Sequence, residues 1–307
     1  TGLQNTLIGA LSGDALTEAN YNVALGYGTL GSDTLGSRNT AIGTFSLDAQ
    51  NFSSATNSNN TAVGYSSGSA VTTGIENTLI GARAGISLSD ADYNTAIGYQ
   101  ALGADTKGNR NTAVGYQALA AQNFTSSTDS NNTAVGFHAL TANTTGYRNT
   151  AIGYGAADAT TTPTDVTAVG HNAVGGNTTG AGNTGVGTNA LISNTENDFS
   201  TAIGSFALEA STGTYNTALG YNSGSAITSG TKNTIIGAYS GNQNSVDIRT
   251  SSNNIILSDG DGNPQGRYLS SASRWEFDVG AVGNASFLIL NDSSSNAYGI
   301  FQQWSAC

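Results

Sequence analysis

The stretch Asn149-Thr150-Ala151-Ile152-Gly153-Tyr154 decides the fold, because it recurs with small changes along most of the 307-residue chain. Its glycine returns fourteen times, at Gly9, Gly26, Gly43, Gly64, Gly81, Gly98, Gly115, Gly136, Gly153, Gly170, Gly187, Gly204, Gly220 and Gly237. Ten of the thirteen steps between these glycines are 17 residues long, two are 21 and one is 16. A fixed period of this length is the sequence signature of a repeat architecture, in which neighbouring repeats stack.

Each repeat is too short to bury its own apolar side chains. Six residues of the type Asn-Thr-Ala-Ile-Gly-Tyr suit one short strand, and a turn-rich remainder returns the chain to its starting edge. The economical arrangement is a coil in which each strand pairs with the same strand of the next repeat. We therefore predict an all-β fold, a parallel β-solenoid of about fourteen 17-residue coils over residues 1–258.

Three positions before the glycine have nearly constant composition. The residue directly before it is Ile, Val or Leu in every repeat, and we predict that this column forms a continuous apolar spine. The third residue before it is Thr in thirteen repeats, and the fourth is Asn in twelve. Stacked Asn amides can hydrogen-bond from one coil to the next, so the Asn column predicts a ladder.

The residues on either side of this spine vary together. Where the second residue before the glycine is large, as in Leu7, Leu79 and Ile235, the residue after the glycine is Ala. Where it is Ala, the residue after the glycine is often aromatic, which gives the candidate interface or core aromatics Tyr27, Tyr65, Tyr99, Tyr116, Phe137, Tyr154 and Tyr221. Close packing requires such exchange at constant volume, so we predict that the two positions share one space, within a coil or between chains. A row of rings can also stack on sugars, but the exchange favours packing.

Two repeats carry four extra residues, at 51–60 and 123–132, and these insertions lie 72 residues apart. Insertions in repeat proteins form loops on one face, and such loops often bind ligands. The alternative is a surface loop without function, since longer loops cost little free energy. The candidate receptor-contact residues are Asn51, Phe52, Asn57, Asn123, Phe124 and Asp129.

The fifth residue before the glycine is variable and polar or aromatic in character. It includes Arg110 and Arg148 as well as Tyr21 and Tyr93. A solvated corner of the coil is the first interpretation. The alternative is a row of side chains that contacts a glycan or a protein.

The composition excludes several classes of function. The net charge of −11 argues against binding to nucleic acid or to an anionic membrane surface. No apolar run has the length of a membrane span, so we expect no membrane insertion in this segment. The sequence contains no phosphate loop, no Cys/His cluster and no His-centred triad, so we predict no catalytic residue, no metal site, no cofactor and no enzymatic activity.

Only 37% of the residues are hydrophobic, which predicts a thin core that oligomerisation completes. The repeat is already under way at Asn5, so we expect these residues to be part of a longer chain. The single cysteine, Cys307, is a free thiol or an interchain link.

The period ends near residue 258, and residues 259–307 have a different composition. The segment 259–264 is rich in Asp and Gly and predicts a tight turn; a calcium loop would need a glutamate where Ser270 stands. Strand-like runs follow at 274–279, 286–290 and 298–303. We predict a small non-repeat β module that caps the solenoid or begins a further domain.

The repeat Asn-Thr-Ala-Ile-Gly-Tyr-Gln-Ala-Leu at 94–102 resembles the head repeats of YadA-like trimeric autotransporter adhesins. It is closer still to repeats of bacteriophage tail fibres, including those of marine cyanophages. The resemblance covers residues 5–258, although the YadA repeat is shorter. It implies a left-handed β-roll, a homotrimer around one axis, and attachment to a glycan or protein receptor on a host cell. The implied location is a virion tail or the extracellular cell surface.

Three functions are therefore open. The first is a trimeric bacteriophage tail fibre or spike that attaches to the host surface. The second is a bacterial trimeric adhesin head or a self-assembling extracellular fibril. The third is an ice-binding solenoid that uses the threonine column. It ranks lowest, because alternation along a strand places the aliphatic column on the same face as the threonines.

Overall fold

The computed structural model describes residues 2–277 and the strands at 287–290 and 299–300. These residues form strands and turns without any helix, and the predicted β-solenoid of stacked parallel coils of about 17 residues is confirmed. The chain divides into two compact units, Thr1–Val169 and Gly170–Cys307.

The first unit consists of parallel coils. Its strands are β1 (Thr6–Ile8), β2 (Val23–Leu25), β3 (Gly36–Ser37), β4 (Thr40–Ile42), β5 (Thr56–Asn57), β6 (Thr61–Val63), β7 (Thr78–Ile80), β8 (Thr95–Ile97), β9 (Gly108–Asn109), β10 (Thr112–Val114), β11 (Thr128–Asp129), β12 (Thr133–Val135), β13 (Thr150–Ile152) and β14 (Thr167–Val169). The three-residue strands pair in parallel and in constant register, so Ala96 faces Ala113, and Ala113 faces Ala134. The two-residue strands pair as β3 with β5 and β9 with β11, which attaches each insertion to the preceding coil.

The second unit continues the same pattern and then changes it. Its strands are β15 (Thr184–Val186), β16 (Thr201–Ile203), β17 (Thr217–Leu219), β18 (Thr234–Ile236), β19 (Asn242–Gln243), β20 (Val246–Asp247), β21 (Ile255–Ser258), β22 (Pro264–Leu269), β23 (Arg274–Phe277), β24 (Phe287–Leu290) and β25 (Gly299–Ile300). Strands β15 to β18 and β21 pair in parallel. From β21 to β25 the pairing is antiparallel.

The C-terminal strands follow the predicted runs. Strands β23, β24 and β25 fall within the three strand-like runs, and the chain reverses between β21 and β22 at the predicted turn. The carboxylate of Asp259 accepts hydrogen bonds there from the main-chain N–H groups of Asp261 (3.1 Å) and Asn263 (2.8 Å). Donors thus occupy this carboxylate, as expected for a turn rather than a calcium loop. Cys307 lies outside the described residues.

The strands place their middle residue inside the coil. This inner column, the second residue before each glycine, is buried in every coil from β2 onward. It is alanine in most coils, for example Ala96, Ala113 and Ala134, each with no exposed surface. The residue directly before the glycine, called the outer column here, points away from the coil. The prediction that this column forms the interior spine is therefore wrong, because side chains alternate along a strand and the inner column occupies the interior.

The predicted volume exchange exists, but between other positions. In most coils the fourth residue after the glycine is a buried Leu, Val or Ala, and the seventh is polar. In the coils with Gly68, Gly85 and Gly224 at the fourth position, the seventh is apolar: Val71, Leu88 and Ile227. A Cβ atom on Gly85 would come within 2.7 Å of Leu88 Cδ1 and 2.8 Å of Leu79 Cδ2. The inner column and the residue after the glycine therefore do not share one space, since one lies inside the coil and the other outside.

The asparagine column forms the predicted ladder. Asn94 is buried; its Oδ1 accepts a hydrogen bond from the main-chain N–H of Asn111 (2.9 Å), and its Nδ2 donates to the carbonyl of Gly108 (2.9 Å). The same side chain to main chain bond links Asn77 to Asn94 at 3.0 Å. Each amide thus satisfies buried main-chain groups at the corner of two neighbouring coils.

The glycine column is required by the backbone. Gly115 has a φ of +138°, a region that only glycine occupies readily. A Cβ atom there would collide with the carbonyl oxygen of Gly136 in the next coil. The close stacking of these glycines keeps neighbouring strands in register.

Candidate interaction surface

The outer column leaves large aliphatic side chains in contact with solvent. Ile152 is 41% exposed and Leu219 is 46% exposed, whereas the neighbouring inner residues Ala151 and Ala218 have no exposed surface. Each strand therefore has its smaller apolar residue inside and its larger one outside. The threonines, two residues before the outer column, lie on the same outward face.

The ring column, the residue directly after each glycine, continues this face. Rings of Tyr99, Tyr116, Phe137 and Tyr154 stack on successive coils, with centroid distances of 5.4, 5.1 and 5.2 Å and interplanar angles of 17°, 10° and 4°. Because the rings face one another along the stack, each internal ring presents its edge rather than its face to solvent. The stack is thus poorly suited to binding sugars by ring-face contact.

The other predicted aromatics are also outside. Tyr27 packs edge-on against Phe45 (5.4 Å, 84°), and Tyr221 packs edge-on against Phe206 (6.1 Å, 87°). Tyr65 is 55% exposed. The rings therefore do not belong to the core of the chain, which removes one of the two alternatives and leaves an interface between chains as a prediction.

Together the outer column and the ring column form a continuous apolar strip, called the strand face below. Isolated exposed apolar residues are normal on soluble proteins, but contiguous patches mark interaction sites. In the first unit the strip passes over successive coils without interruption, from Ile80 through Ile97 and Val114 to Val135 and Ile152. The geometry is that of a flat, repetitive contact surface.

The insertions are anchored rather than free. Phe52 and Phe124 are each only 7% exposed, so these two candidate contact residues hold the loops down. Asn51, Asn57, Asn123 and Asp129 lie on the surface. Asn51 accepts a hydrogen bond from Thr34 Oγ1 (2.9 Å), Asn123 accepts one from Thr106 Oγ1 (3.1 Å), and Asp129 lies 3.2 Å from Arg110 Nε.

A buried polar network beneath each insertion was not anticipated from the sequence. Asp105 has no exposed surface; its carboxylate accepts hydrogen bonds from Gln122 Nε2 (2.7 Å) and from the main-chain N–H of Phe124 (3.2 Å). Gln122 in turn accepts from Asn132 Nδ2 at 2.7 Å. Asp33 and Gln50 make the same contact at 2.7 Å beneath the first insertion. The signal available in the sequence was an Asp located 17 residues before a Gln, just ahead of each insertion.

The corner column, the fifth residue before each glycine, adopts a left-handed backbone, with φ of 61° at both Tyr93 and Arg110. Arg110 lies over the Tyr93 ring at 4.9 Å. Arg148 forms two hydrogen bonds of 2.7 Å to Asp165, which lowers the pKa of that carboxyl below its ordinary value. These contacts lie within the chain, as expected of a solvated corner; receptor contact by this column stays a prediction.

The described residues contain no group of three or more His, Cys, Asp or Glu side chains placed to hold a metal ion. Across the same part of the chain we find no helical segment with the length and hydropathy of a membrane span.

Comparison of the chain with family models, with curated proteins and with solved structures finds no significant match in any of the three. The resemblance to YadA-like head repeats and tail-fibre repeats therefore stays a prediction, based on residues such as those at 94–102.

Proposed function

We propose that this chain is a structural fibre protein that assembles as a homotrimer through its strand face and attaches to a host cell surface, as bacteriophage tail fibres do. The observation that carries the proposal is the apolar strand face, which the chain itself leaves uncovered. The repeat class supports the tail-fibre assignment. The role is mechanical and adhesive rather than catalytic.

The partner that best fits this face is another copy of the same chain. The exposed side chains repeat at the spacing of neighbouring strands, roughly 4.8 Å. A partner that packs against many successive coils must repeat with the same spacing, and a second copy does so by construction. Closed symmetry then limits the assembly to a defined number of chains. The number three comes from the resemblance.

The proposed assembly compensates for the thin interior. A coil with alanine in its inner column buries little apolar area, and burial contributes about 25 cal/mol per Å². The larger Ile, Val and Leu side chains of the outer column contribute only when a neighbouring chain covers them. We therefore expect assembly and stability to be coupled, with a melting temperature that rises with protein concentration.

The test of assembly is the molar mass in solution, measured by sedimentation equilibrium. The unmodified chain is expected to sediment as a trimer. The triple variant Ile97→Asp, Val114→Asp, Val135→Asp places three carboxylates on the strand face and is expected to sediment as a monomer. A matched control places three carboxylates on exposed loop positions, with Ser53→Asp, Ser54→Asp and Ser126→Asp, and is expected to remain a trimer. An unmodified chain that stays monomeric at high concentration would overturn the proposed assembly.

The test of attachment is the binding of fluorescently labelled protein to whole bacterial cells, with a panel of cyanobacteria included. Saturable binding to a subset of strains is expected. Failure to bind any strain, by a preparation shown to be trimeric, would contradict the host-attachment role while leaving the fibre assembly in place.

A further inference from the structure

A groove lies on the turn flank of the coils, apart from the strand face. It has a volume of about 420 Å³ and is lined by Arg83, Gln100 and Gln117 together with small residues that include Gly103, Ala104 and Ala120. The three long polar side chains are the second residue after the glycine in three consecutive coils. The groove therefore runs across the coils, with one polar side chain from each.

The groove exists because side-chain size changes locally. The fifth residue after the glycine is Gly103 and Ala120 in two of these coils, whereas it is Asp48 earlier and Asp158 later in the first unit. The absence of long side chains at this position leaves open space beside the glutamines. The glutamines are held to each other, since Gln117 Nε2 donates to Gln100 Oε1 at 3.0 Å.

The electrostatic character of the groove differs from that of the chain as a whole. The chain has 20 acidic and 9 basic residues, yet no carboxylate lines the groove. Further along the same flank, burial and the nearby Asp14 raise the pKa of Asp48, so acidic groups crowd the region outside the groove. Arg83 is exposed and makes no ion pair among the residues that the structure describes. Its guanidinium is available to an external anion.

We propose that this groove binds a segment of an acidic polysaccharide. The guanidinium of Arg83 would pair with a sugar carboxylate, for which its planar fork of donors is suited. The amides of Gln100 and Gln117 would exchange hydrogen bonds with the hydroxyls of the following sugars. The inference names a receptor class for the proposed host attachment, and its biological meaning rests on that proposal.

The spacing explains why the ligand is a chain rather than a single ion. Arg83, Gln100 and Gln117 lie on consecutive coils, so the three groups span roughly 10 Å at the strand spacing. A polymer with one carboxylate among many hydroxyls matches one guanidinium followed by two amides. A nucleic acid, with a phosphate at every residue, matches it less well and would be repelled by the net charge of −11.

The test is titration of the assembled full chain with oligogalacturonates of three to six sugars, measured by isothermal calorimetry at low salt, with maltohexaose as the neutral probe. The acidic oligosaccharides are expected to bind roughly tenfold or more tightly than maltohexaose, because charge-assisted hydrogen bonds are the stronger ones. Arg83→Ala is expected to weaken acidic binding roughly tenfold or more. The double variant Gln100→Ala, Gln117→Ala is expected to weaken it further.

The matched control is Arg38→Ala, which removes an exposed arginine of the corner column and is expected to leave binding unchanged. Thermal melts of each variant check that the fold is intact. The proposal is overturned by an unmodified chain that does not bind oligogalacturonate. Equal binding of maltohexaose, or equal affinities in Arg83→Ala and Arg38→Ala, also overturns it. The oligomeric state of the same samples is measured separately, so a trimer without sugar binding contradicts the groove alone, whereas a monomer contradicts the proposed fibre assembly.

Discussion

The two faces of each strand differ in the opposite sense from an ordinary amphipathic strand. Ala113 is completely buried, while the larger Val114 next to it lies on the outward face. The same contrast holds for Ala151 and Ile152. In a protein that folds alone, the larger apolar residue is the one expected inside.

The difference teaches what limits a narrow coil. One strand and one turn enclose a thin interior, and the inner column shares it with the leucine or the glycine and apolar pair of the turn. There is little room for a larger inner residue, except where the turn supplies glycine, as Gly85 does beside Leu79. Apolar side chains beyond this capacity must lie outside, where only another chain can cover them.

The largest expected effect comes from placing a charge on each face in turn. Ala113→Asp buries an unpaired carboxylate and is expected to destabilise the fold by about 4 kcal/mol or more. Val114→Asp, one residue later, is expected to change the stability of the isolated chain by less than about 1 kcal/mol. Urea unfolding of the two variants, at a concentration where the chain is monomeric, measures both values. Equal losses would show that the two faces are not distinct.

The next effect concerns the glycine that follows both faces. Gly115→Ala requires a φ that alanine avoids and a collision with Gly136, so a loss of about 3 kcal/mol or more is expected. Gly260→Ala is the control, because a Cβ atom there has open space and the backbone is ordinary. Denaturant midpoints provide the comparison. A mild effect of Gly115→Ala would mean that neighbouring strands tolerate a shift, and the two faces would then lose their register.

A smaller effect is expected from the amide ladder at the edge of the two faces. Asn94→Ala leaves the main-chain N–H of Asn111 and the carbonyl of Gly108 without their buried partner, at a cost of about 2–3 kcal/mol. Asn123→Ala removes a surface amide and should cost less than about 0.5 kcal/mol. Amide hydrogen exchange should show faster exchange at Asn111 in the first variant only. Unchanged exchange there would contradict the role of the ladder.

The smallest effect lies on the turn flank, away from both faces. Burial, and then the charge of Asp14, raise the pKa of Asp48 in the folded chain. The charged form is thus disfavoured on folding, and the folded state regains stability as the pH falls from neutral through this raised pKa towards about 4, the value in the unfolded chain. Asp48→Asn should remove that gain and stabilise the chain at pH 7 by less than about 0.5 kcal/mol, because the carboxyl is still largely solvated. Melts at pH 7 and pH 5 test the sign, and a loss of stability at pH 7 would contradict it.

The periodic features of the fold could be predicted from the sequence. The spacing of the glycines identified the coils, since only a stacked repeat needs glycine at a fixed interval. The asparagine column identified the ladder, and the Asp259 turn was recognisable because Asp and Gly favour local turn bonds. The buried Phe52 and Phe124 and the Asp–Gln pairs could not be foreseen. Their environment depends on the preceding coil, which no local pattern describes.

The sequence by itself determined the period, the strands and their parallel register, because these follow from repeated residue types at constant spacing. Only the tertiary structure decided which of two adjacent apolar columns lies inside. A shift of one residue exchanges the faces of a strand, and both columns are apolar, so alternation alone does not distinguish them. The choice depends on the width of the closed coil, which admits the smaller side chain and leaves the larger one on the surface.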